Sequence, residues 1–301
     1  MAFGRSLELY FVDGRPEGLL TACVFNWTGH VLKAPRTRLK DALARPEAQF
    51  TGVHVLVGER DGVPLAYVGE GEEVGARIRD HDGRKDWWTV ALIITTASDD
   101  LNKAHVKYLE SRLVEQALKV GTVPLENGNT PPRSSLSEAG VANMDEFLDT
   151  PFIVFPALGL EIFTERRRPD PPSSIVVVAS SPRFMLETKK NGVRALAELR
   201  GGEFVVLKGS SARNDWEGAG MHDFGYAELH RKLVASGVIQ RGPLVATFTD
   251  NYAFASPSAA AAVVNGRPAN GRLEWKIEGS KKTFGEWDRE QLEIAAVTPE
   301  D

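Results

Sequence analysis

The 301-residue chain has little that would place it outside the cell or in a membrane. Its single cysteine, Cys23, excludes an internal disulfide and a four-sulfur zinc site, and it fits a reducing cytoplasm. No apolar run approaches the ~18 residues of a membrane span, and the start, MAFGRSLELYFVDG, has no basic-then-apolar leader layout. Positive charge is not in excess either. A formal charge of −5 excludes a coat of basic surface and leaves room only for a local patch facing nucleic acid. There is no His-Glu-x-x-His motif, and six scattered histidines give no zinc set. Gly69-x-Gly71-x-x-x-Gly75 has the wrong spacing for a dinucleotide loop, and its three glutamates would repel pyrophosphate. Gly279-Ser280-Lys281-Lys282-Thr283 lacks the first glycine of a phosphate-binding loop.

What is present is ordinary globular composition, 42% hydrophobic and 26% charged, in a chain long enough for about two domains. The expected class is α/β (mixed α+β). Residues 1–50 read as an N-terminal flanking strand/helix unit, with Leu7 to Val12 as a strand before the Asp13-Gly14 turn. Between Lys33 and Arg45 five basic residues face one acid. They are either a solvated helix face around Leu39 and Leu43, or a basic arm in which Lys33, Arg36 and Arg38 contact phosphate.

Residues 51–164 form the next domain, with its core at 51–121. Val53, Val55 and Val57 alternate as a half-buried strand, Asp61-Gly62 turns, and Leu65 to Gly69 returns. A short helix over Glu72 to His81, a buried strand over Val90 to Ile94, and a long helix to about Leu118 follow. Asp99 or Asp100 is the expected N-cap of that helix and Gly121 its stop. A further helix is capped by Ser137. Residues 165–174, with four charges leading into three prolines and two serines, read as a linker to a C-terminal domain, 175–301. That domain is expected to hold strands at Ile175 to Val178 and Phe204 to Leu207, and helices at Tyr226 to Ser236 and Ser258 to Val264.

Two helices carry polar residues where apolar ones are expected. Glu110 falls within a turn of Val106, Leu109, Leu113 and Ala117, where a carboxylate is costly unless paired, protonated or holding a metal. A salt bridge with Lys103 or Lys107 at the edge of the stripe is the plain alternative. In the short helix Arg77 and His81, four apart, share a face with Val74 and Ile78, and so point inward and call for an anionic partner.

These residues resemble the GIY-YIG endonucleases. The second motif of that family stands here as Tyr67-Val68-Gly69, with Arg77 and His81 at the expected distances beyond it, and Glu110 where the family has its metal-binding glutamate. The first motif is Gly52-Val53-His54, so histidine replaces its tyrosine; the downstream asparagine is Asn127 or Asn129. The resemblance covers about seventy residues. It implies a small central antiparallel sheet flanked by helices and a single-metal site that hydrolyses phosphodiester bonds in DNA. Glu110 would hold Mg²⁺ or Mn²⁺, Arg77 would brace the scissile phosphate, and Tyr67 would orient or deprotonate the water. His81 would stand near the proton transfer, and His54 would replace the first tyrosine as base. Asn129 would lie against nucleic acid. The rival implication is a nucleic-acid-binding protein whose site is degenerate at His54. A third reading is a structural protein with a buried Arg77–His81–Glu110 ion network. A cytoplasmic, prokaryotic nuclease without membrane attachment is expected, with nucleic acid as partner and a homodimer left open.

The run Ser256-Pro257-Ser258-Ala259-Ala260-Ala261-Ala262, with Gly266, Asn270-Gly271 and Glu274-Trp275-Lys276, is similar to an uncharacterised, RAMA-like domain that often accompanies GIY-YIG domains. It reads as a Ser-Pro turn, a small-residue helix and an Asn-Gly turn before a tryptophan strand. A binding surface there would use Lys208, Ser210, Asn270 and Trp275.

Overall fold

Strand-forming residues dominate the first hundred positions, and in the computed structural model they build one antiparallel sheet. β1 (Leu7–Phe11), β2 (Leu20–Val24), β3 (Gly29–Pro35), β4 (Gly52–Arg60), β5 (Val63–Gly71) and β6 (Trp88–Thr96) stand in the order β1-β2-β3-β6-β4-β5. The structure describes residues 4–168, 181–217 and 224–297, and the chain divides into two units, 1–164 and 165–301. Both are mixed α+β, as expected. Residues 1–50, however, are not a flanking unit. β3 pairs with β6 from Gly29 opposite Thr96 to Pro35 opposite Val90, which makes the sheet six-stranded rather than small. Val31, Leu32 and Ala34 are buried on both faces of the sheet, the mark of a central strand that the basic residues around them concealed.

Asp61 and Gly62 join β4 to β5 with φ of 54° and 74°, the left-handed pair of a two-residue hairpin. Side-chain alternation then gives each face its own core. On one side α1 (Leu39–Leu43) and α2 (Val74–Asp82) pack Leu39, Ala42, Val74 and Ile78 against Leu32, Leu56 and Ile93. On the other, α3 (Lys103–Val120), α4 (Glu138–Asp149) and α5 (Pro151–Ala157) pack Val106, Leu109, Leu113, Phe147 and Phe155 against Val53, Val55, Leu92 and Ile94.

The start of α3 differs from the expectation. Asn102 is the N-cap, its Oδ1 accepting from the backbone N–H groups of Ala104 and His105, while His105 reaches back to the Asn102 N–H. Asp99 instead takes φ 54° and accepts from the Thr51 N–H at 2.8 Å, tying the loop to the start of β4. Gly121, at φ 64°, ends the helix as its composition suggested. Ser137 caps α4 through the Gly140 N–H.

In the second unit β7 (Arg167–Arg168), β8 (Phe184–Thr188), β9 (Val193–Arg200) and β10 (Glu203–Val206) join one antiparallel sheet. β11 (Ser211–Ala212), β12 (Ile239–Gln240) and β13 (Ala246–Phe248) form a second one. β14 (Asn251–Phe254) and β15 (Lys276–Ile277) complete the first, in the order β15-β8-β9-β10-β14-β7. The helices are α6 (Phe224–Ala235), α7 (Pro257–Asn265), α8 (Gly271–Glu274) and α9 (Phe284–Val297). The expected linker therefore contains a strand near its start: Arg167 and Arg168 pair with Tyr252 and Asn251. Its residues 169–174, and the strand expected over 175–178, lie outside the described residues. Among the described residues no helix is long and apolar enough to cross a membrane.

A candidate active site at the edge of the first sheet

The site is assembled by the pairing of β4 with β5. His54 stands opposite Gly69, so its ring lies where a side chain at 69 would go. A Cβ there would come within 2.6 Å of His54 Cε1 and 2.9 Å of Tyr67 Cε1, so any side chain after Val68 forces one of these rings to shift. Tyr67 lies on the same face two residues earlier, and α2 covers that face with Val74, Ile78 and His81. Three rings meet there: Tyr67 to His81 at 4.8 Å between centroids, His54 to His81 at 5.4 Å and His54 to Tyr67 at 6.0 Å. Lys85 Nζ stands 4.3 Å from the centre of the Tyr67 ring and is held by the Glu126 carboxylate.

Burial sets the charge states. His54 is 0% exposed, neither of its ring nitrogens has a hydrogen-bond partner, and burial with the neighbouring His81 and Arg77 holds it neutral far below the usual imidazole range. Burial and the Arg77 charge likewise push His81 down to about 4. The Tyr67 hydroxyl is pushed up by burial, with the Glu110 charge adding to the rise and Arg77 opposing it, so it keeps its proton.

Arg77 does not point inward as the helical wheel predicts. It is exposed and lines an open cleft of about 510 Å³ with Glu70, Glu72, Glu73, Asp80 and Lys103. The helix dips His81 and Ile78 into the core while Arg77, at the wheel's edge, stays in the solvent-open cleft with its guanidinium against the Tyr67 hydroxyl. Glu110 is half-buried at the edge of the α3 stripe. Among the described residues no hydrogen bond or ion pair reaches its carboxylate, since Lys103 pairs with Glu70 at 2.8 Å instead. Burial and the Glu70 charge push Glu110 up to about 7, against the attraction of Arg77, Lys103 and Lys107. The closed ion network of the structural reading is therefore absent: Arg77 is open to solvent and Glu110 is unpaired.

The outer edge of β5 is covered by the loop after α3. Ala66 exchanges backbone hydrogen bonds with Pro124 and Glu126, and the Asn127 amide accepts from the Val68 N–H at 3.0 Å and donates to the Val68 carbonyl at 2.7 Å. Of the two asparagines singled out, Asn127 makes the strand-like bonds and Asn129 is exposed. Lys85, Glu126 and Glu70 were missed, and Lys103, named as a partner for Glu110, pairs with Glu70 instead. Their only sequence signal is charge beside the motif residues, which surface positions share.

The expected basic arm is spent within the fold. Lys33 donates to the Leu158 carbonyl at 2.8 Å, and Arg36 binds the Asp82, Asp86 and Trp88 carbonyls, pairs with the Asp82 carboxylate and stacks over Trp88. Arg38 bridges Asp13 and Asp41. Each cation closes a strand end or helix end whose carbonyls or carboxylates need a donor. In the second unit Lys208 is exposed, but Ser210 and Trp275 are buried, and Trp275 Nε1 donates to the Pro257 carbonyl at 3.0 Å. Ser256 and Asn270 are N-caps of α7 and α8 rather than turn residues.

Residues 184–288 match a family model described as a domain of unknown function, DUF4357. No curated protein and no solved structure matches the chain.

Proposed function

We propose that residues 1–164 are a metal-dependent nuclease of the GIY-YIG type, acting on phosphodiester bonds in DNA in the cytoplasm. The observation that carries this reading is the Arg77 guanidinium, open to solvent in a cleft, with the half-buried Tyr67 hydroxyl and the unpaired Glu110 carboxylate beside it. The donor set suits Mg²⁺ or Mn²⁺: an oxygen ligand without a partner of its own, raised in pKa by desolvation and a second carboxylate, is a group that gains from a divalent cation. Glu110 would hold the ion. When bound, the ion would stabilise charge developing on the phosphorus oxygens.

The chain's own residues do the rest. Arg77 presents paired donors to two phosphate oxygens and fixes the scissile group against the cleft. Tyr67 keeps its proton, so it orients the attacking water or the phosphate by hydrogen bonding and does not serve as a ready base. His81 stays neutral and holds the Tyr67 ring edge-on. His54 has no exposure and touches neither water nor phosphate, so its part is to fix the two rings above it.

That burial also favours a second reading, in which the protein binds nucleic acid without cutting it because the first tyrosine's hydroxyl has no replacement at the surface. Labelled single- and double-stranded DNA and RNA, incubated with Mg²⁺ or Mn²⁺, separate the two. Cleavage by the wild type and its loss by at least ~10³-fold in Glu110→Ala supports the nuclease. Binding without cleavage in both proteins supports the second reading, and neither binding nor cleavage removes both.

A further inference from the structure

The neighbour of Glu110 is more than a source of repulsion. Strand alternation turns Glu70 to the α3 side of the sheet, the side opposite Tyr67 and Gly69. On α3, Lys103 and Glu110 are seven residues apart, two turns along nearly the same face. Glu70 reaches this face and takes the Lys103 ammonium at 2.8 Å, while Glu72 stands 3.9 Å from the same nitrogen. The cleft at this end is lined by Glu70, Glu72, Glu73 and Asp80, and among the described residues its cations are Arg77 and Lys103. Lys103 is thus a tethered cation on the one cleft carboxylate whose charge acts most strongly on Glu110. An ammonium on Glu70 Oε2 repels a divalent cation brought to the same carboxylate, so a lysine already bound there costs the cation affinity.

We propose that Glu70 is a second carboxylate for the divalent cation held by Glu110, and that Lys103 occupies Glu70 until the cation displaces it. This inference rests on the reading of Glu110 as a metal ligand. Mg²⁺ and Mn²⁺ accept one or two protein carboxylates and fill the remaining positions with water and substrate oxygen, so a second glutamate adds grip without closing the site. The device sets the metal affinity of the free protein and makes it depend on a lysine that lines the same cleft as Arg77.

The test is calorimetric titration of the full chain with Mn²⁺ alone at about pH 8, above the range to which Glu110 is raised. Glu110→Gln is expected to abolish binding. Glu70→Gln is expected to weaken it roughly tenfold or more, and Glu72→Gln, which removes the same charge from the same cleft, by less than about twofold. Lys103→Met should tighten binding about threefold in the wild type and leave it unchanged in Glu70→Gln, because the lysine acts through that carboxylate. A Glu70→Gln effect no larger than that of Glu72→Gln overturns the proposal, and so does tightening by Lys103→Met that persists without Glu70. Either result with Mn²⁺ binding still lost in Glu110→Gln leaves the metal site standing. Wild-type binding that Glu110→Gln does not alter, or no wild-type binding, removes the metal site and this proposal together.

Discussion

The two units treat buried polar groups in opposite ways. In the second, Ser210 bonds both backbone groups of Leu196, Asn251 bonds the Lys208 N–H and the Arg168 carbonyl, and Asn265 bonds Thr188 and Glu274. His230 Nε2 lies 3.1 Å from the Arg213 carbonyl. Among the described residues Trp216 Nε1 is the one buried side-chain atom of that unit without a partner. In the first, both nitrogens of His54, Nε2 of His81 and Oγ1 of Thr95 have none. Satisfied polar groups make a core unique and rigid; unsatisfied ones cost stability and persist where a fold needs their chemistry or their shape. The first unit also leaves atoms of Asp13, His30, Trp88, Thr122 and Thr164 unpartnered, so the contrast is one of polar satisfaction between the units, and the proposed reading gives chemistry only to the cluster at His54 and His81.

Glycine substitutions put that contrast under the greatest load. In the second unit a Cβ at Gly271 would stand 2.1 Å from the Pro257 carbonyl carbon and oxygen, where α8 meets the first turn of α7. Backbone cannot step aside, so Gly271→Ala is expected to destabilise by more than about 3 kcal/mol in chemical denaturation, with no single substitution restoring it. Gly69→Ala meets side chains instead, those of His54 and Tyr67. It should cost about 1–3 kcal/mol, and His54→Ala in the same chain should recover part of the loss. Equal rescue at both sites, or none at Gly69, would dissolve the distinction between a packed joint and a glycine that makes room for a histidine.

The pH dependence sharpens the comparison at the next level. His54 and His81 have folded-state values below the unfolded one, so the stability they carry is present above about 6.5 and is lost as the pH falls, for His81 through about 4. Glu110 runs the other way. Its raised value adds stability at low pH that fades as the pH rises from about 4.5 through about 7. His81→Phe should therefore flatten the acid limb of the stability curve by on the order of 2 kcal/mol near pH 4, measured by urea denaturation across pH. The apparent affinity for Mn²⁺ should rise through about pH 7 as Glu110 ionises. An acid limb unchanged in His81→Phe would mean that the three-ring cluster is hydrated and its histidines titrate freely.

Much of this was legible in the chain because the signals were local. The Asp61-Gly62 hairpin, the Gly121 stop and the Ser137 cap depend on a few neighbouring residues, and each sits where composition put it. His81 and Glu110 could be placed because the helical period fixes which face a residue takes, whereas Tyr67 was singled out only by the resemblance. What failed depended on distant partners. Arg36 looked free because the Asp82, Asp86 and Trp88 carbonyls it serves are some fifty residues away. β3 looked like part of a separate unit because its partner, β6, is equally distant. Arg77 was expected to be buried with His81 and Ile78, but it stands at the edge of that face and is exposed in the cleft.

The smallest effect concerns the two asparagines of the loop beyond α3. Asn127 supplies both partners of the Val68 backbone, replacing the neighbour that edge strand β5 lacks at that point. Asn127→Ala leaves a buried N–H and carbonyl unpaired next to Gly69 and should cost about 1–2 kcal/mol. Because it loosens the strand that carries Tyr67, cleavage should fall along with stability. Asn129 is exposed, and its replacement by alanine should stay within about 0.5 kcal/mol. If Asn129 touches nucleic acid, Asn129→Ala weakens DNA binding without moving the denaturation midpoint, whereas Asn127→Ala moves both. A pair of variants two residues apart thus separates a residue that holds the edge of the sheet from one that reaches past it. The same assay tells whether the loop belongs to the site or merely closes the strand beside it.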